Sequence, residues 1–181
     1  MRTGEPITVC ADGVDYACEI AEITRDQVGL TVLSQMPTAG EPDVGITLYQ
    51  ALPKLDKLEQ IVQKAVELGA VRIVPVLTSR CVSRPEKEDF QKRQVRLQKI
   101  ARAAAMQSGR GMVPEIAGLY SFSEALAELS RQETPLMLYE GGGSRLSGLT
   151  LGKTIGVLVG SEGGFSAAEA ASARDVGVQR I

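Results

Sequence analysis

The sequence predicts an α/β fold with parallel strands, preceded by a short β-rich unit, and three observations carry that expectation. From Gly45 onward, apolar runs of strand length alternate with segments of helical periodicity. Runs such as Val71–Leu77 are apolar on both faces, as strands covered by helices on either side are. Before residue 44 the pattern is different: short β-rich stretches alternate with turn residues, and no helical spacing is visible. With 181 residues, 44% hydrophobic and 23% charged, the chain suits one globular domain with a small appendage, and wholesale disorder is excluded.

The β-rich unit reads as three strands, Ile7–Ala11, Asp15–Ile23 and Gln27–Leu33, with Asp12-Gly13 as a hairpin turn. Three strands are too few to close a barrel, so this unit is expected to lean on the rest of the chain. Met36–Val44, with two Pro and one Gly, reads as the linker. Gly45–Leu52 is the next strand, closed by Pro53. Leu58, Ile61, Val62, Ala65 and Leu68 then share one helical face, and Gly69 supplies a left-handed stop. After the Val71–Leu77 strand, a longer helix is expected over Lys87–Gln107, with Val95 or Leu97, Ile100, Ala101 and Ala104 as its inner stripe. Ser121 with Glu124 forms a capping box opening a helix through Leu129, and Ser166 with Glu169 forms a second, whose helix Gly177 ends. Pro135–Glu140 and Lys153–Gly160 are further buried strands, and Val178–Ile181 is a final one.

Composition removes several kinds of chemistry. The chain has no His, which excludes Ser-His-Asp and Cys-His catalysis, imidazole bases and His-ligated metals. Cys10, Cys18 and Cys81 lack zinc-knuckle spacing and give no disulfide framework, and no metal is expected. No apolar run approaches a membrane span, and the N-terminus has no secretory pattern, so a cytoplasmic location is expected. Gly152-Lys153-Thr154 imitates the end of a P-loop. However, Ser147 stands where that loop needs Gly, and a strand rather than a helix follows Thr154. A nucleotide-hydrolysing reading is therefore disfavoured.

Two glycine-rich loops remain. Glu140-Gly141-Gly142-Gly143 and Gly160-Ser161-Glu162-Gly163-Gly164-Phe165 both lie beyond the carboxyl ends of apolar strands, where open α/β sheets bind ligands. Glycine there lets backbone approach a ligand and leaves amides free to donate; tight strand-to-helix turns would need the same residues. The basic residues Lys92, Arg96, Lys99 and Arg102 stand three to four apart, opposite the apolar stripe of their helix, and Arg110 follows. Such a stripe can follow a phosphate backbone or can simply be a solvated face. No aromatic residue interleaves with it, so base stacking is not supported.

Three motifs in order resemble the RsmE family, the small-subunit ribosomal RNA uridine-N3 methyltransferases of the SPOUT superfamily. They are Lys64-Ala65-x-Glu67-Leu68-Gly69 with Ile73-Val74-Pro75; Ala104-x-x-Gln107-Ser108-Gly109-Arg110 with Val113-Pro114-Glu115; and Val159 through Ser166. The resemblance runs from about Arg2 to Ile181. It implies a partial PUA-like, RNA-binding β-barrel over 1–43 and a SPOUT-type trefoil-knot methyltransferase domain over 44–181. It also implies a homodimer acting on small-subunit ribosomal RNA, with S-adenosylmethionine as cofactor. On this reading the cofactor loops are Leu138, Tyr139, Glu140 and Gly141, running on to Gly142, and Val159, Gly160, Ser161, Glu162, Gly163 and Gly164. Arg110, Arg102, Arg96 and Lys99 are the RNA contacts. Ser161 replaces the family's usual Pro. The resemblance also implies further barrel strands before Met1 and, after Ile181, a segment that supplies a third cofactor loop and completes the knot, so the chain is expected to be a fragment.

Methylation at a uridine nitrogen requires loss of the ring N–H proton, and with no His the acceptor must be a carboxylate, a backbone group or hydroxide. Glu162 is the acidic residue in the second loop, and it can act as proton acceptor or as the group that fixes the glycine turn. A fragment that binds RNA or dimerises without turnover is the competing expectation.

Overall fold

The structure is a computed structural model that describes residues 1–11 and 13–181. Its strands fall into two sheets. The first is antiparallel, in the order β1 (Pro6–Ala11), β2 (Val14–Ile23), β3 (Val28–Pro37). Asp12 of the expected turn lies outside the described residues; Gly13 adopts φ +75°, the left-handed region such a turn uses. Strand β3 runs further than the sequence suggests: Met36 and Pro37, expected in the linker, pair with Asp15 and Val14. Its apolar residues Val28, Leu30, Val32, Leu33 and Met36 are exposed.

The second sheet is parallel. It contains β4 (Gly45–Ala51), β5 (Ala70–Leu77), β6 (Glu115–Ile116), β7 (Tyr120–Ser121), β8 (Thr134–Met137), β9 (Thr154–Val159) and β10 (Gln179–Arg180). The order is β10-β8-β9-β4-β5-β6, with β7 also on β5. The chain steps outward from β4 to one edge, then crosses over and builds the other half, placing β9 directly against β4. That reversal makes the carboxyl ends of β4, β9 and β8 the topological switch point of the sheet, where open α/β sheets form crevices.

Helices α1 (Lys57–Glu67) and α2 (Lys87–Gln107) cover one face of this sheet, and α3 (Phe122–Leu129) and α4 (Ala167–Asp175) cover the other. Leu58, Val62 and Val66 of α1 pack with Phe90, Leu97 and Ala101 of α2 over Ile73. Tyr49, Val74 and Leu158 point to the opposite side, against Leu126, Leu129, Ala170 and Ala173. Leu68, expected on the inner face of α1, is instead 84% exposed, and of the two alternatives expected in α2, Val95 is 59% exposed and Leu97 is buried. Leu68 is the C-cap of α1, where the chain turns away through Gly69 at φ +98°; in α2 the inner position falls to Leu97. Both capping boxes form as the sequence predicts, at Ser121/Glu124 and Ser166/Glu169.

Candidate functional site

Strand β8 ends at Met137, three residues earlier than expected, and Leu138, Tyr139 and Glu140 become the start of a loop. The Leu138 N–H still donates to Leu158 O (3.0 Å), so the loop leaves the sheet beside β9. Its glycines are there for space. An added Cβ on Gly141 would lie 2.3 Å from the Tyr139 ring, and one on Gly143 would lie 2.3 Å from the Arg180 carbonyl oxygen. The terminal residues are held between the two limbs of this loop. Ile181 donates to Met137 O and Tyr139 donates to Ile181 O (both 3.0 Å), while Ser144 donates to Arg180 O (2.8 Å).

The second loop follows β9. The Gly164 N–H donates to Ser161 O (2.9 Å), closing a tight turn with Gly164 at φ +63°. A Cβ on Gly160 would stand 3.0 Å from Gly164 Cα, a tight approach of backbone to backbone that glycine relieves. Phe165 is buried beside Phe122, with ring centroids 6.4 Å apart, and anchors the loop's exit into α4.

Side chains from neighbouring strand ends brace these loops, and the sequence reading overlooked most of them. Gln50, buried at the end of β4, donates to Gly160 O (3.2 Å) and Ala51 O (2.9 Å). Glu162 accepts the Lys54 N–H at both carboxylate oxygens (3.2 Å each) and pairs with Lys57 Nζ (3.0 Å). The Lys57 ammonium and the backbone amides hold its carboxyl at about 2, well below the ordinary 4.5. Arg80, in the loop after β5, donates from Nη1 to Gly163 O (2.7 Å) and stands 3.8 Å from Glu140 Oε1, touching both glycine loops. Glu169 caps α4 and also accepts Ser79 N–H (2.7 Å) and Ser79 Oγ–H (2.8 Å). Burial opposes its charge, but the hydrogen bonds from Ser166 and Ser79 outweigh that and keep its carboxyl below the usual range. A usable signal existed: Lys54 and Arg80 both follow the carboxyl ends of parallel strands, the rule that singled out the glycines.

This geometry gives Glu162 the partners of a loop tie. A carboxylate held near 2 is also a poor proton acceptor at neutral pH.

Among the basic residues, Lys92, Arg96, Lys99 and Arg102 are all exposed along α2, as a phosphate-facing stripe requires. Arg102 also borders a cleft between the small sheet and the end of α2, shared with Val9, Cys10, Met106 and Met112. Arg110 needs correction as an RNA contact. It is 6% exposed; Nη1 donates to Ala70 O (2.5 Å) and Val66 O (3.2 Å), and Nη2 donates to Glu41 Oε2 (2.5 Å). Its guanidinium is consumed inside the fold. Among the described residues, no helix is long and apolar enough to cross a membrane.

Residues 40–181 match a family described as an RNA methyltransferase domain. The chain is 31% identical over 179 residues to a ribosomal RNA small subunit methyltransferase E of Bacillus subtilis, covering 93% of this chain and 70% of that protein. It is 29% identical over 182 residues to one from Aquifex aeolicus, covering 100% and 78%. A crystal structure of a ribosomal RNA small subunit methyltransferase E from Neisseria gonorrhoeae, bound to S-adenosyl methionine, superposes with a TM-score of 0.89 at 28% identity, covering 100% of this chain and 75% of that one. A Legionella pneumophila putative methyltransferase in complex with the same cofactor gives 0.86 at 26% identity, covering 99% and 75%.

Proposed function

The chain belongs to the RNA methyltransferase domain family, among the small-subunit ribosomal RNA methyltransferases E, and from that premise we propose that it methylates N3 of a uridine in 16S ribosomal RNA using S-adenosylmethionine. One observation carries the assignment to a site: the glycine loops after β8 and β9 lie side by side at the switch point and are braced into one cradle by Arg80.

The cradle fits a cofactor with an adenosine and an amino-acid part. Gly164 packs directly against the Glu140 carboxylate of the first loop, so the two loops approach closely there, and glycines let a ligand come near the backbone of Val159, Gly160, Gly163 and Gly164 and of Leu138–Gly141. When bound, S-adenosylmethionine supplies an electrophilic methyl group on a positively charged sulfur. The chain's part is to hold that group, orient the target base and exclude water, and most of the acceleration comes from holding the reactants together. Glu162 fixes the second loop through Lys54 and Lys57, and Gln50 fixes its first carbonyl.

Finer features belong to the same reading. The three-stranded sheet over 1–43 serves as a PUA-like RNA-binding unit, and 44–181 is a SPOUT-type methyltransferase domain. The grip of the loop after β8 on Arg180 and Ile181 supports a threaded topology. Lys92, Arg96, Lys99 and Arg102 guide RNA towards the loops from α2. The protein works in the cytoplasm as a homodimer, which light scattering of the purified chain tests.

The experiment is calorimetry with S-adenosylmethionine, followed by incubation with small-subunit RNA and radiolabelled cofactor. Nucleoside mass spectrometry should find N3-methyluridine. Cofactor binding and RNA binding without methyl transfer would replace the enzyme reading with that of a binding module.

A further inference from the structure

Resting on that reading of the cradle, we propose that Arg80 is the residue that receives the target base, its guanidinium stabilising the negative charge that develops on the uracil ring as N3 loses its proton.

Three observations converge on Arg80. Its side chain reaches both glycine loops, through Gly163 O at 2.7 Å and Glu140 at 3.8 Å. The side chain is 49% exposed, so an incoming group can reach it. Only Nη1 is engaged; Nε and Nη2 donate to no group among the described residues, leaving two N–H-bearing nitrogens for an incoming acceptor. Three neighbouring cations are already engaged, Arg180 over the Tyr139 ring at 5.8 Å among them. Lys57 is spent on Glu162, and Arg84 is turned back on Thr78 O (2.8 Å).

The chemistry calls for such a group. The chain has no His, and Glu162 is tied to Lys54 and Lys57. The proton on N3 therefore passes to hydroxide or water. The N–H electron pair stays on the ring, spread over N3 and its two flanking carbonyl oxygens. It then forms the N–C bond to the methyl group while the S–C bond breaks onto sulfur. Arg80 neither gains nor loses a proton; it lowers the cost of the anion. A planar guanidinium with two free donor nitrogens can donate to a carbonyl oxygen flanking N3, taking up charge there while the N3 pair stays free to attack the methyl group. In the free chain Glu140 shares the guanidinium, and the base displaces that long, exposed contact.

The test uses the full chain with Arg80→Gln and Arg80→Lys, reading cofactor affinity by calorimetry and single-turnover methyl transfer to small-subunit RNA from pH 6.5 to 9.5. Arg80→Gln should lose some S-adenosylmethionine affinity, because Arg80 also braces Gly163, but at saturating cofactor it should still transfer methyl about 100-fold more slowly at pH 7.5, the usual cost of removing one donor from a developing anion. Its deficit should narrow as pH rises and hydroxide takes over, and Arg80→Lys should recover part of the rate. An Arg80→Gln enzyme with the wild-type rate and pH profile overturns the proposal. So does a variant whose rate loss is fully explained by lost cofactor affinity, since Arg80 would then only brace Gly163. Wild-type protein that binds no S-adenosylmethionine overturns the reading of the cradle itself, and this inference with it.

Discussion

Glu162 and Gly160 show how single residues set the second loop. The Glu162 carboxyl, lowered to about 2 by Lys57 and the backbone amides, stabilises the loop fully above its ordinary value of 4.5. That contribution is lost as pH falls towards 2, because a depressed acid must be protonated to release its partners. Carboxyl NMR of the native protein should therefore find a Glu162 midpoint near 2, and a midpoint near 4.5 would remove the tie. Glu162→Gln should weaken cofactor binding several-fold while leaving the shape of the pH–rate profile unchanged; a profile that loses its acid limb would make Glu162 the base. At Gly160 the neighbours of an added Cβ include the Gly164 backbone, Cα at 3.0 Å and C at 3.2 Å, which cannot swing aside as a flexible side chain could. Gly160→Ala should lower S-adenosylmethionine affinity at least tenfold with little change in Tm, and unchanged affinity by calorimetry would move the cofactor elsewhere. At this scale the sequence was only half legible. Glycines after apolar strands are local signals and could be read, whereas the loop role of Arg80 depends on a contact across 83 positions. No periodicity encodes such a contact.

Elements were far more legible, because each is decided by spacing and capping within its own segment. Helix α2 occupies Lys87–Gln107 as its periodicity predicts, and both capping boxes are in place. The misses are instructive. Strands β6 and β7 have two residues each and exist only because β5 offers them an edge. Strand β3 gains Met36 and Pro37 because β2 is long enough to pair with them. Tertiary neighbours, not propensity, set those boundaries. Helix α4 gives a prediction of its own. Its N-terminus and the loop carrying Arg80 meet on one carboxylate, Glu169, which accepts from Ser166 and Ser79 together. Ser166→Ala should cost about 1 kcal/mol, the usual value of a lost N-cap. Glu169→Ala should cost more, about 2–3 kcal/mol, since it strands several donors in a partly buried place. Denaturant titration of Ser79→Ala, Ser166→Ala and the double variant should show non-additivity, because the two serines share one acceptor. Strict additivity would mean that Glu169 does not couple α4 to the Arg80 loop.

At the scale of the whole molecule, the question is how the small sheet is held against the parallel one. Three strands imply that the small unit leans on the rest of the chain, and the structure supplies the contact residues. The joint is built from Arg110, Glu41, Thr38 and Gly111. Arg110 clamps Glu41 of the linker to the carbonyls of Val66 and Ala70. Gly111 lies so close to Thr38 that an added Cβ would fall 2.5 Å from Thr38 Oγ1. If α2 and the small sheet together form the RNA path, this joint aligns its two halves without touching RNA. Arg110→Ala breaks a buried charge pair and should cost about 3 kcal/mol, lowering Tm by roughly 6–12 °C for a chain of this length. Its effect on RNA should be of a particular kind. Affinity should fall because the halves lose their alignment, but the salt dependence of binding should keep its wild-type slope, since no phosphate contact is removed. Replacing Lys99 and Arg102 with Gln should do the reverse. Tm should hold, and the slope of log affinity against log salt should shrink by roughly 1.4–1.8 for two lost phosphate contacts. Filter binding across a salt series distinguishes the two. An Arg110→Ala slope reduced by nearly one unit, with Tm intact, would return Arg110 to the RNA surface and show that the internal clamp opens when RNA binds.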